Sequence, residues 1–225
     1  MQFDLIITCE HSGNLVPQKY THLFKAADEI LTSHRGWDPG AIEIANYLSE
    51  KLSAPLFKCD TTRLLIEPNR SPDSSSLFSE YSQILNSSER EEILQQFYLP
   101  HRSGVEQLIR RAGKRILHLS IHTFTPVWNG TVREVDIGLL FDPERENETI
   151  FCEAYRREIC DRLPALRTRF NEPYQGIEDG FTTYLRTRFD DDAYLGIEIE
   201  VNQKYFGTKL WGEIAVVLAE GLPKF

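Results

Sequence analysis

Three apolar runs constrain this chain most: LIITCEHSG (5–13), ILHLSIHTF (116–124) and LGIEIEVNQ (195–203). Each has the length and β-branched content of a buried strand. Each also ends by bringing a metal-binding or proton-transferring side chain to a strand-to-loop junction. The first two supply His11 and His122, and the third supplies Glu198 and Glu200. Ligands of open α/β sheets bind in the crevice beyond the carboxyl ends of parallel strands, so these ends together predict an enzyme with one compact site.

The segments between these runs alternate helix and strand. KYTHLFKAADEIL (19–31) has helical spacing of Leu23, Phe24, Ala27, Ile30 and Leu31. GWDPGAIEIANYLSEKL (36–52) carries a helix-start signal, with Asp38 placed as N-cap and Pro39 as first helical residue. APLFKCD (54–60) and TRLLIE (62–67) read as short strands, and the serine-rich stretch 71–89 as a long loop or lid over the site. Helical character returns at 99–114 and 148–163, with REVDIGLLFD (133–142) as a strand between them. Asp179 is expected to cap a short helix in DGFTTYLRTRF, and a last helix runs near 207–221. The pattern predicts one domain, 1–225, of three-layer α/β/α architecture around a mixed, mostly parallel central sheet.

A length of 225 residues is enough to bury one large core. The net charge of −9 leaves no basic stripe for a phosphate backbone, so nucleic acid is not an expected partner. Cys9, Cys59, Cys152 and Cys160 form no C-x-x-C pair, which predicts reduced thiols in a cytoplasmic protein. No segment approaches the about 18 apolar residues that a membrane span requires.

Side chains alternate across a sheet with a period of two, so His118, Ser120 and His122 share one strand face, and Glu198 and Glu200 share another. A single such strand reads equally as the wet side of an antiparallel sheet. Two neighbouring carboxylates in a buried site require a cation, an arginine or a shared proton. His11 and His122 are able to hold zinc through neutral imidazoles, and catalytic zinc takes a third protein ligand, for which Asp38, Glu10 and His34 are the candidates. Arg63, Arg70 and Arg133 lie in or beside loops, and a guanidinium holds a carboxylate through paired hydrogen bonds. Two rival readings stand beside the metal hydrolase. One is a metal-free hydrolase with Ser12 as nucleophile, although Ser12 lacks the G-x-S-x-G elbow. The other is a metal-free anion- or amino-acid-binding protein without catalysis.

The motifs TCEHSGNLVP (8–17), HRGWDPGA (34–41), TRLLIEPNRSP (62–72), SIHTFTPVWNG (120–130), REVDIGLLFD (133–142), NEPYQG (171–176), DGFTTYL (179–185) and IEIEVNQ (197–203) occur in this order over almost the whole chain. Together they resemble the N-formylglutamate amidohydrolase family. The resemblance implies a zinc-dependent hydrolase of an N-acyl amino acid, such as N-formyl-L-glutamate, and a fold similar to zinc carboxypeptidases and deacylases. It implies His11, Asp38 and His122 as metal ligands, Glu200 as general base with Glu198 beside it, and Arg70 with Asn69 as the group holding a substrate carboxylate. Arg133, Tyr174, Ser12 and His34 complete the expected substrate contacts. Zinc carboxypeptidases place a ligand glutamate three residues after the first histidine; position 14 here is asparagine, which leaves the carboxylate ligand between Asp38 and Glu10.

Overall fold

The computed structural model describes residues 3–223. Among the described residues eight strands and seven α-helices follow in chain order: β1 (Asp4–Cys9), α1 (Asp28–Thr32), α2 (Ala41–Leu52), β2 (Leu56–Lys58), α3 (Ser87–Ile93), α4 (Leu99–Arg111), β3 (Ile116–Phe124), β4 (Val127–Trp128), β5 (Thr131–Val132), β6 (Ile137–Leu140), α5 (Glu146–Arg162), β7 (Thr168–Phe170), α6 (Phe181–Arg186), β8 (Tyr194–Asn202) and α7 (Lys209–Glu220). Six of the strands form one sheet in the order β2-β1-β3-β8-β6-β7. Every neighbouring pair is parallel except β6 against β8, so the sheet is mixed and mostly parallel, as expected.

The sheet is covered on both faces. Leu117, Leu119 and Ile121 of β3 and Ile197, Ile199 and Val201 of β8 pack with Ile44 and Leu48 of α2, Phe151 and Tyr155 of α5, and Ile214 and Leu218 of α7. On the opposite face, Ile6, Ile116 and Tyr194 pack with Val105 and Ile109 of α4 and Phe181 and Leu185 of α6. Every residue of β3 and of β8 is buried, which excludes the wet antiparallel face as an explanation of their polar residues. Burying histidine and glutamate in central strands is costly unless each finds a partner, so these side chains must form a connected polar site.

Chain order explains where that site opens. After β1 the chain pairs β2 on one side and β3 on the other, so the first crossovers leave the β1/β3 boundary in opposite directions. A crevice opens at such a switch point. His11 lies just past β1 and His122 lies near the end of β3, one on each side of it.

Several local expectations are corrected. The run 19–31 is not one helix: Gln18–Phe24 is a 3-10 turn, Ala26 sits at φ 61°, and α1 begins only at Asp28. A left-handed residue ends a right-handed helix, and this one divides the pattern. Asp38 does not cap α2; the N-cap is Gly40, at φ 87°, and it makes no side-chain cap bond. A Cβ at Gly40 would lie 2.4 Å from the Trp211 ring, so glycine is required there both for backbone and for space. Residues 62–67 form turns rather than a strand, with Leu65 N–H donating to Thr62 O and only one isolated bridge, Leu15 to Thr61. Residues 71–86 have no helix or strand, but Leu77 and Leu85 are buried with Leu65, Ile93 and Tyr98. That segment therefore anchors a satellite core, and none of residues 71–89 lines the cavity at the sheet's carboxyl end. Asp179 does not cap α6 either; its carboxylate accepts from Ser71 N–H and Oγ–H, while Asn69 Oδ1 accepts from Phe181 N–H at 2.7 Å.

Candidate metal centre and cavity

A cavity of about 340 Å³ lies at the carboxyl ends of β1, β3 and β8. Its floor is built by register. His122 stands opposite Glu200 and Ser120 opposite Glu198, so the polar faces of β3 and β8 are a single surface. β6 continues the sheet beside β8 with Gly138 opposite Glu200. A Cβ at Gly138 would meet Glu172 O at 2.1 Å, so glycine lets the 171–176 turn lie directly over this strand and deliver Tyr174 to the cavity.

His11 reaches the cavity because the chain turns after β1 and hydrogen-bonds the loop that precedes α2, with Asp38 N–H donating to His11 O at 3.0 Å. That bond places the Asp38 carboxylate beside the imidazole. His11 Nδ1 and His122 Nδ1 are 3.1 Å apart, and Asp38 Oδ2 lies 3.2 Å from the first and 3.0 Å from the second. All three residues are buried, with relative exposures of 2%, 2% and 1%. Hydrogen bonds alone do not satisfy this triangle, because one carboxylate oxygen accepting from both rings leaves two N–H groups facing each other. Two nitrogens and one oxygen are a donor set for zinc, and tetrahedral ligands at about 2.0–2.1 Å from the ion are separated by roughly 3.3 Å. Among the described residues these three form the one cluster with metal-ligating spacing.

Neither of the other two candidate ligands joins this triangle. His34 Nδ1 is 3.2 Å from the outer oxygen of Asp38, Oδ1, and accepts from Gln203 Nε2–H. Glu10 is fully buried behind His122, with Oε2 3.2 Å from His122 Nε2 and accepting from Ser120 Oγ–H at 2.7 Å. Its other oxygen lies 3.2 Å from His101 Nε2. Burial alone would raise the Glu10 carboxyl, but His101 and His122 outweigh it and hold the group well below the usual carboxylate range. The same balance holds Asp38 low: burial opposes ionisation, and His11, His122 and His34 overcome it.

Behind His11 stands a residue that sequence reading passed over. Glu67 Oε1 lies 2.5 Å from His11 Nε2, and its other oxygen accepts from Arg63 Nε–H at 2.7 Å. Arg63 also donates to Asp38 Oδ1 at 3.3 Å, so one guanidinium ties two carboxylates of the site together. The available signal was the i,i+4 spacing of Arg63 and Glu67, which the reading of 62–67 as a strand obscured.

Glu200 is 6% exposed, and its Oε2 is buried without a hydrogen-bond partner. Burial pushes its carboxyl up to about 8, with Asp38 and Glu198 adding to the rise and His122 opposing it. Glu198 accepts from Thr182 Oγ1–H at 2.5 Å and also lines the cavity. Asn69 and Arg70 line the wall; Arg70 Nη1 donates to Asp179 O at 2.6 Å, which fixes the guanidinium at the rim. Arg133 stands one layer back, stacked on the rings of Tyr174 at 5.0 Å and Trp128 at 5.2 Å, and those two rings line the cavity in its place. Ser12 is not brought to the cavity: it is buried and donates to Asp60 Oδ1 at 2.9 Å, which leaves it without a histidine base.

The chain is similar to several proteins of known structure. A crystal structure of a gene product from Agrobacterium tumefaciens matches with 31% identity and a TM-score of 0.81, covering 98% of this chain and 91% of that one. The CwlD amidase of Clostridioides difficile matches at 12% identity and a TM-score of 0.48, over 97% and 95% of the two chains. A bacteriophage poly-gamma-glutamate hydrolase matches at 10% identity and a TM-score of 0.44, over 98% and 83%. No curated protein matches the sequence. The model of the N-formylglutamate amidohydrolase family matches residues 3–206, and the chain belongs to that family.

Proposed function

We propose that the protein is a zinc-dependent hydrolase of the amide bond in an N-acyl amino acid, with N-formyl-L-glutamate as the first substrate to test. The observation that carries this reading is the meeting of His11 Nδ1, His122 Nδ1 and Asp38 Oδ2 in one cavity with the unpartnered Oε2 of Glu200. Membership of an amidohydrolase family supports the reaction class.

His11, Asp38 and His122 would hold the ion. When bound, the ion supplies Lewis acidity, which polarises the acyl carbonyl and acidifies the attacking water. Glu200 takes the water's proton and passes it to the leaving amine, a role suited to a carboxyl raised toward neutrality. Glu198 lies one strand pleat away, shapes the charge around Glu200, and is steadied by Thr182. Arg70, with Asn69, holds a substrate carboxylate at the rim, while Tyr174 and His34 flank the acyl group. Arg133 supports Tyr174 from behind and adds positive charge to that wall.

The test is metal analysis of purified protein together with hydrolysis of N-formyl-L-glutamate by the parent and by Glu200→Gln. The variant is expected to keep one zinc per chain and to lose turnover by at least about 100-fold. Undiminished turnover in the variant would remove Glu200 from the role given to it. Zinc-free parent protein with full turnover would remove the metal.

A further inference from the structure

The donors and acceptors around His122 decide which of its ring nitrogens faces the cluster. Its Nε2 has two close neighbours: Glu10 Oε2 at 3.2 Å and Ser120 Oγ at 3.0 Å. An ionised carboxylate only accepts hydrogen bonds. Ser120 has one hydroxyl hydrogen, and it is directed to Glu10 Oε2 at 2.7 Å, so toward His122 the serine oxygen also only accepts. Both neighbours of Nε2 are therefore acceptors, and the ring satisfies them by carrying its proton there. In the neutral ring that binds a metal, the lone pair is then on Nδ1, the atom that lies 3.0 Å from Asp38 Oδ2 and 3.1 Å from His11 Nδ1.

We infer that Glu10 is a positioning residue that fixes the tautomer and ring orientation of His122, so that Nδ1 is the nitrogen offered to the metal. The inference rests on the metal reading above. Glu10 is suited to this because it is fully buried, and its second oxygen is held by His101 from α4, which leaves it no alternative geometry. The arrangement mirrors the Glu67 carboxylate on His11 Nε2. Carboxylates behind ligand histidines fix orientation and raise ligand basicity. The turn that follows β1 thus contributes to both halves of the centre: His11 inside it, and the preceding residue behind the histidine of β3.

Glu10→Gln tests this, because an amide brings an NH2 group into a pocket whose contacts all require an acceptor. Zinc affinity, measured by competition with a chelator, is expected to fall roughly 10–100-fold in a metal-free variant that still melts cooperatively. Zinc affinity within twofold of the parent would overturn the positioning role while leaving the metal reading intact. A parent that binds no zinc would overturn both. A second measurement is independent of how the variant folds: ¹⁵N spectra of the His122 ring in zinc-loaded parent protein. A proton on Nε2 is expected, and a proton on Nδ1 would overturn the inference.

Discussion

Glu198 and Glu200 share a strand face, yet their surroundings separate them. Glu198 spends one oxygen on the Thr182 hydroxyl, whereas Glu200 Oε2 has no partner and burial drives its carboxyl up to about 8. Part of that rise comes from the negative charge of Glu198. Removing the charge in Glu198→Gln is expected to ease ionisation of Glu200 and to move the acidic limb of the kcat/KM profile to lower pH, by up to about one unit. An unmoved limb in zinc-loaded enzyme would show that the two carboxylates do not communicate. Asp38 teaches a related lesson. Its place before Pro39 gives it the sequence signature of an N-cap, but the side chain turns away from α2 to meet two imidazoles from separate strands. A capping pattern describes local backbone needs and carries no information about residues 27 and 84 positions away.

At the scale of elements, the strands and long helices were legible because burial and periodicity repeat over many residues. β3 and β8 run from 116 and 194 close to the limits predicted for them, α2, α4 and α7 fall within their expected segments, and α5 starts two residues before its own. Short elements were not. The turns at 62–67 are held by backbone bonds to Leu15, Gly36 and Leu77, and the break at Ala26 is a single left-handed residue, so neither has a local periodic signal. The N-terminus of α2 shows how such a junction serves the site. Gly40 bends the chain in the left-handed region against Trp211 and Phe206, and Asp38 sits two residues before it. Gly40→Ala is expected to destabilise the protein by more than about 1 kcal/mol, since alanine is strained at positive φ and its Cβ overlaps the ring of Trp211. Urea midpoints measure the loss, and chelator competition should show weaker zinc binding in the same variant. A variant with parental stability would mean that α7 yields at no cost.

The whole molecule encloses more ionisable groups than its reaction uses, and this sets its response to acid. His118 is fully buried, with Nε2 2.8 Å from Thr8 Oγ1 and Nδ1 2.7 Å from Tyr194 OH. Burial holds it down to about 4, against about 6.5 in an unfolded chain. The unfolded state therefore takes up a proton that the folded state refuses, and the associated stability is present above pH about 6.5 and lost as pH falls toward 4. The expected loss is about 3 kcal/mol across that window. His101, raised to about 10 by Cys59 and Glu10 against the effect of burial, is protonated in both states below pH about 6.5 and adds no slope there. Urea titrations at several pH values should give a steeper slope for the parent than for His118→Gln, and equal slopes would refute the assignment. Among the described residues no helix is long and apolar enough to cross a membrane.

By itself the sequence determined the layered α/β architecture, the three strand ends that bring His11, His122 and the Glu198–Glu200 pair to one place, and the family. Those follow from hydrophobic periodicity and ordered motifs, which are properties of the linear chain. Only the tertiary structure decided which carboxylate joins the histidines and which stand behind them. Asp38, Glu10 and His34 are polar residues near strand or helix ends and Glu67 lies in a turn, and their roles differ by which atom faces which partner at about 3 Å. That distinction arises from register, a backbone hydrogen bond from Asp38 to His11 and the switch point between β1 and β3, all of them contacts made across the fold.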